Sequence, residues 1–158
     1  MNTDTTIEIQ EGYAYLTDIT ELIKEYTASL NRDLSFQGLQ DELHDLKVKY
    51  AYPNGRLLAA VSADGVVAGC IAYHKLSDQR CEMKRLYVKQ EYRKQHIGSK
   101  LIEALISQAV KDGYQEMVLD TIEPLQDAIR LYHAFGFEET LPYYHNPMAD
   151  VIYMRKAL

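Results

Sequence analysis

Three apolar runs follow one another with almost nothing between them, and this limits the folds open to the chain more than any other feature. Arg56–Ala63 and Val66–Leu76 are separated only by Asp64-Gly65, a dipeptide suited to the positive backbone angles of a two-residue hairpin turn. Ser77-Asp78-Gln79 then leads into Arg80–Val88. Connections this short join antiparallel neighbours, so three consecutive antiparallel strands are predicted. The third run passes through a basic, amide-rich loop, Arg93-Lys94-Gln95-His96-Ile97-Gly98-Ser99, directly into a helix predicted over His96–Asp112. Within it Ile97, Leu101, Leu105 and Ala109 recur at four-residue steps, and Gly113 marks its end. A helix start has unpaired backbone N–H groups and a partial positive charge, which makes it a ready anion site. Gly98 lets the backbone approach a bulky anion, Ser99 adds a donor, and Arg93 and Lys94 add charge. An ordinary strand-to-helix turn with solvated basic residues has the same local composition.

The flanking segments complete a mixed α+β pattern. Thr6–Tyr15 alternates loosely as an opening strand. Thr17 or Asp18 caps a helix through Leu30, and Ser35 caps a shorter one carrying Phe36, Leu39, Leu43 and Leu46. Pro53-Asn54-Gly55 is a turn. Beyond the central helix, Met117-Val118-Leu119 reads as a short buried strand. Pro124 suits the first turn of a helix over Leu125–Phe135, ended by Gly136. Phe137–Tyr144 and Val151–Lys156 are predicted as closing strands joined across Asn146-Pro147. With 158 residues and no linker, repeat or low-complexity stretch, residues 1–158 read as one domain.

Charge and composition narrow the partners. A net charge of -6 argues against nucleic acid, and no apolar run approaches the roughly 20 residues of a membrane helix. Met1–Gln10 is polar and acidic, without the apolar core of a signal peptide, and Cys70 and Cys81 sit in apolar strands as free thiols. A cytoplasmic protein is expected. His133 and His145 have no third ligand at suitable spacing, so no metal is expected and both read as surface or packed side chains.

Taken in order, three segments resemble the GNAT superfamily of acyl-CoA-dependent N-acetyltransferases: the strand Cys81–Val88, the Arg93–Ser99 loop with its helix, and Leu131-Tyr132-His133-Ala134-Phe135-Gly136-Phe137. Leu34-Ser35-Phe36-Gln37 and Pro142-Tyr143-Tyr144-His145-Asn146-Pro147 resemble one bacterial branch of small, uncharacterised members. The resemblance implies the GNAT fold, a central mixed but mostly antiparallel sheet of about six to seven strands flanked by about four helices. It implies acetyl transfer from acetyl-CoA to a primary amine by direct attack in a ternary complex. Backbone groups of Leu86, Tyr87 and Val88 would take the pantetheine arm and polarise the thioester carbonyl. Those of Lys94, Gln95, His96, Ile97, Gly98 and Ser99 would take the pyrophosphate, with the Arg93 side chain as a further phosphate contact against a merely solvated loop cation.

Two residues are implied as catalytic. Glu82 occupies the strand position that carries the base in the histone-acetylating branch, and the competing reading is a surface glutamate paired with Lys84 or Arg85. Tyr132 matches the tyrosine that hydrogen-bonds the cofactor sulfur and donates a proton to the departing thiolate, against a plain core-packing role. Two positions depart from the family pattern: His96 stands where the loop has its first glycine, and Leu125 where many members place a cofactor-contacting asparagine. Weaker cofactor binding is expected from both. A non-catalytic acyl-CoA-binding module of the same fold is the rival reading, which the two departures favour and Glu82 with Tyr132 oppose. Tyr13, Tyr143 and Tyr144 are candidates for an acceptor pocket, with a buried aromatic cluster as the alternative, and Lys84 with Arg85 for an acidic-substrate site. The sequence does not distinguish a small-molecule amine from a protein or peptide amine, nor a monomer from the homodimer many relatives form.

Overall fold

Seven strands align in the computed structural model, which describes residues 6–158: β1 (Ile7–Glu11), β2 (Gly55–Ser62), β3 (Val67–Lys75), β4 (Arg80–Val88), β5 (Glu116–Ile122), β6 (Glu138–Glu139) and β7 (Val151–Ala157). Their order across the single sheet is β1-β2-β3-β4-β5-β7-β6. Every neighbouring pair is antiparallel except β4 and β5, which run parallel. The helices are α1 (Leu16–Leu30), α2 (Leu39–His44), α3 (Leu46–Tyr50), α4 (Ile97–Lys111) and α5 (Gln126–Ala134). The central strands read as unbroken apolar runs because both sheet faces are covered. Cys81, Met83 and Met117 pack with Ile97, Leu101 and Leu105 of α4 on one face. Ala59, Cys70 and Tyr87 pack with Ile19, Leu22 and Ile23 of α1 on the other. No helix among the described residues is long and apolar enough to cross a membrane.

The site is prepared where β4 and β5 part. They pair only at Arg80–Glu116, Cys81–Met117 and Glu82–Val118, and beyond that the two strands separate. The cause lies on the other side of β4. Between the matched pairs Ala72–Lys84 and Cys70–Tyr87, two β4 residues, Arg85 and Leu86, oppose the single β3 residue Ile71. Such a bulge bends its strand and strengthens its twist. Arg85 takes a left-handed conformation there, φ 63°, costly for a side chain of this size. A buried ion pair holds it: the Arg85 guanidinium donates to both carboxylate oxygens of Glu42, at 2.7 and 3.1 Å. The opened edge of β4 between Met83 and Val88 is thereby left facing a cleft instead of a strand.

Several boundaries differ from the sequence expectation. The opening strand stops at Glu11 and Gly12–Tyr15 forms a 3-10 turn, because a Cβ at Gly12 would lie 2.7 Å from Ile19 Cδ1 and 2.8 Å from Leu57 Cγ. α1 begins at Leu16 without a side-chain cap, so Thr17 and Asp18 fall inside its first turn. The helix expected after Ser35 is broken into a 3-10 turn (Ser35–Gln37), α2 and α3. Gly38 turns the chain at φ 69°, and Asp45 caps α3 by accepting from the Lys47 N–H at 3.0 Å. α5 starts at Gln126, one residue later than expected. The predicted strand Phe137–Tyr144 shrinks to Glu138–Glu139. After the Thr140 N–H bond to the Tyr153 carbonyl, Pro142 has no N–H to continue the ladder, and the chain leaves the sheet. Residues 1–5, the start of the polar N-terminal segment, lie outside the described residues.

Candidate active site

The start of α4 presents a run of backbone amides. His96 occupies the N-cap of α4 with φ 61° and no side-chain cap, and the first helical bond runs from the Lys100 N–H to the His96 carbonyl. The amides of Ile97, Gly98 and Ser99 precede that bond and have no partner within the helix. Lys94 is also left-handed, φ 66°. The two left-handed positions in this loop are therefore non-glycine residues, and each costs on the order of 1 kcal/mol. Gly98 also serves packing: a Cβ there would sit 3.2 Å from Leu131 Cδ2, so its absence lets α5 pack closely against the start of α4. Lys94, Gln95 and His96 are exposed around this end, whereas the Ile97 side chain is buried in the core, leaving only its backbone to the site. Arg93 turns away from the loop. Its Nε donates to the Val88 carbonyl at 3.1 Å and its guanidinium lies 5.6 Å from the Tyr87 ring centroid. In this position the Arg93 side chain braces the end of β4.

The cleft itself is walled by Met83–Leu86 of β4 and Leu119–Ile122 of β5, with Tyr26 of α1 across one end and Tyr132 of α5 across the other. Tyr132 packs edge-on against Phe137 at 6.0 Å, which places its ring in the core, but its hydroxyl bonds to no described residue and faces the cleft. Burial raises its proton affinity, so it stays a neutral phenol. Leu125, just before α5, lines the cleft with an apolar side chain where the family asparagine would offer a polar one.

On the other side of Lys84 lies a chamber of about 700 Å³. Glu82 stands in its wall. It accepts from His74, 2.6 Å away across the β3–β4 pair, and from the Tyr143 hydroxyl. Burial alone raises a carboxyl, but the His74 bond, the Lys84 charge at 4.0 Å and the Tyr143 hydroxyl outweigh it and bring Glu82 down to about 2. Glu82 is thus no surface glutamate. Of its two expected partners Lys84 stands near it, whereas Arg85 is spent on Glu42. Tyr143 and Tyr144 line the chamber as expected. Tyr13 does not, since its hydroxyl donates to the Tyr50 carbonyl at 2.8 Å. The loop carrying the two tyrosines is pinned by Asp120, which accepts from the Tyr144 hydroxyl and from Asn146 Nδ2 at 3.1 Å, and by the bond from the Tyr153 hydroxyl to the Tyr144 carbonyl at 2.9 Å. His133 and His145 are exposed, away from this arrangement.

Three residues of the site were not singled out in the sequence: His74, Gln37 and Asp120. His74 carried a readable signal. Strands ending at Leu76 and beginning at Arg80 place those two opposite each other, and counting back sets His74 against Glu82. Gln37 and Asp120 carried none.

A protein-family model for the acetyltransferase (GNAT) family matches residues 18–137. An uncharacterised N-acetyltransferase of Schizosaccharomyces pombe is 45% identical over 141 residues, covering 89% of this chain and 86% of the relative. One from Dictyostelium discoideum is 32% identical over 214 aligned residues, covering 96% and 99%. The likeness thus extends to eukaryotes, beyond the bacterial branch expected. Among solved structures, a GNAT-family acetyltransferase of Staphylococcus aureus superposes with a TM-score of 0.81 at 21% identity, covering 96% of this chain and 99% of that one. The PaiA N-acetyltransferase of Thermoplasma acidophilum, solved with coenzyme A, gives 0.74 at 19% identity, covering 97% and 99%. With the splayed β4 and β5, the bulge at Arg85 and the uncapped amides at the start of α4, these matches place the chain in the GNAT acetyltransferase family.

Proposed function

We propose that the chain moves an acetyl group from acetyl-CoA to a primary amine by direct attack while both substrates are bound. The observation that carries this reading is that the cleft and the chamber share a wall, Gln37 and Lys84, so two ligands entering from opposite sides meet there. The chain's groups fit acetyl-CoA: unpartnered amides at the start of α4, an opened strand edge on β4, and an unbonded phenol lining the cleft. When bound, that substrate supplies a thioester open to a neutral amine and a thiolate leaving group.

In this reading the amides of Lys94–Ser99 hold the pyrophosphate and the β4 edge at Leu86, Tyr87 and Val88 aligns the pantetheine arm as an added strand would. An amide of the bulge polarises the carbonyl as charge builds on it. Glu82 receives the acceptor's ammonium. A carboxyl held at about 2 is too weak a base to keep the proton, so His74, bonded to Glu82 at 2.6 Å, carries it away. The Tyr132 hydroxyl donates a hydrogen bond to the departing sulfur. A phenol is a weaker acid than a thiol, so its service is to stabilise the thiolate. A cysteine-borne acyl intermediate is disfavoured, because burial pushes Cys70 and Cys81 up to about 12.

Calorimetric titration with acetyl-CoA, with free CoA for comparison, tests the first half. Saturable one-to-one binding is expected, with the fold stabilised by about 2.7 kcal/mol at a hundredfold excess over Kd. Release of CoA thiol on adding amines tests the second half. Absence of binding at millimolar acetyl-CoA would overturn the reading. Binding without turnover across a broad amine panel would turn it toward a sensing module.

A further inference from the structure

Lys84 is nine-tenths buried, and its ammonium makes no hydrogen bond to any described residue; its nearest carboxylate, Glu82, stands 4.0 Å off. The other cations of the chamber are committed elsewhere. Lys49 binds Glu42 at 3.2 Å, and Arg80 binds Glu116. A buried ammonium is expensive unless something pairs it, and Glu82 already serves as acceptor to His74 and Tyr143. Close by is the opposite deficiency: Gln37 Oε1 is a buried acceptor with no donor. Gln37 and Lys84 are the two side chains that line both the cleft and the chamber. The junction where the acceptor reacts therefore presents a cation without a hydrogen bond, a neutral acceptor without a donor and, 4.0 Å from the cation, a carboxylate.

That pattern discriminates among amines. A simple cationic amine finds Glu82 but sets its charge beside Lys84. An amine carrying its own carboxylate satisfies both. In an α-amino acid about 2.5 Å separates the nitrogen from the carboxyl carbon, a span commensurate with two opposite charges 4.0 Å apart. We propose that the acceptor is an α-amino acid, its carboxylate held by Lys84 and its amino group presented to Glu82 and to Gln37 Oε1. The proposal deepens the acetyl-transfer reading and rests on it. The chamber's rim adds a preference for the side chain. Phe36 and Leu76 remain 37% and 42% exposed beside it, an apolar lip suited to an aliphatic or aromatic group.

Matched pairs of L-amino acids and their carboxamides, with leucine and phenylalanine among them, provide the test, read as kcat/KM for CoA release. At about pH 8 the carboxamide has the more neutral amine, so basicity favours the amide and any preference for the acid must come from recognition. The acid is expected to exceed the amide on the order of tenfold, about 1.4 kcal/mol. Lys84→Met should bring the ratio to one or below, since only the amide's more neutral amine then counts, and Lys84→Arg should keep the acid ahead. Equal or faster amides in the unaltered protein, which a direct Gln37–Lys84 bond would produce, overturn the proposal without any variant having to fold. So does a ratio that Lys84→Met leaves unchanged. No turnover with any pair, while acetyl-CoA still binds, removes the α-amino acid class but leaves the cofactor reading standing. Loss of acetyl-CoA binding removes both.

Discussion

The proposed pyrophosphate end of the site draws on backbone amides of six consecutive residues, Lys94–Ser99, whereas the proposed acceptor chamber draws Gln37, His74, Glu82, Lys84 and Tyr143 from four separate stretches of chain. The first region tolerates changes of side chain because its donors belong to the main chain. It keeps its helix start even with His96 and Lys94 in left-handed backbone. The second has less tolerance, since most of its polar groups answer another: His74 and Tyr143 to Glu82, Tyr144 and Asn146 to Asp120. A backbone site is set by main-chain geometry; a side-chain site is decided by partnership. The bulge at Arg85 joins the two, because it opens the β4 edge on the cofactor side and is anchored by Glu42 on the acceptor side.

Removing that anchor should have the largest effect. Glu42→Ala leaves a buried guanidinium unpaired and is expected to cost about 3–5 kcal/mol, read as a lower urea midpoint. A cost under about 1 kcal/mol would mean the bulge holds itself and the two regions are independent. Acid should expose the partnership at Glu82 next. Its carboxyl lies at about 2 when folded and is higher when unfolded, so the stability it contributes is full above the unfolded value and is lost as pH falls toward about 2. The contribution is on the order of 3 kcal/mol. Urea unfolding between about pH 5 and 2.5 should show a shallower acid decline for Glu82→Gln than for the unaltered protein. Equal slopes would place the acid sensitivity in the other ion pairs.

Tyr132→Phe keeps the ring against Phe137 and removes only the unbonded hydroxyl. Turnover is expected to fall about a hundredfold, near 2.7 kcal/mol, with acetyl-CoA affinity hardly changed. Undiminished turnover would reduce Tyr132 to core packing. The smallest effect is expected in the backbone region. His96→Gly relieves left-handed strain but adds freedom to the unfolded chain, for a net gain below about 1 kcal/mol and a Tm rise of no more than roughly 2–4 °C. Calorimetry should show acetyl-CoA binding equally well or more tightly. A clear loss of affinity would show that the imidazole itself makes a contact, and that this region too depends on a side chain.

Much of the framework was legible along the chain. The hairpin at Asp64-Gly65, the β4–loop–α4 passage and the end of α5 at Gly136 are local features whose periodicity and turn chemistry suffice to place them. The errors fall where a local signal met a tertiary competitor. Ser35 resembles a helix cap, yet Gly38 and Asp45 break the segment. Phe137–Tyr144 alternates like a strand, yet Pro142 ends the ladder and frees Tyr143 to reach Glu82. Arg93 reads in the sequence as a loop cation without neighbours; folded, it braces the Val88 carbonyl, a contact that no local pattern announces.

By itself the sequence determined most of the order of strands and helices and the run of residues whose amides open α4, because each depends on neighbours a few residues away; Glu82 and Tyr132 were marked only through the family resemblance. Tertiary structure alone decided that β4 and β5 part after Glu82, that Arg85 is held in a bulge by Glu42, and that Lys84 and Gln37 stand unpaired between two cavities. Burial and pairing are properties of groups brought together from far apart in the chain, and a side chain's charge acquires its chemical meaning only from what the fold sets beside it.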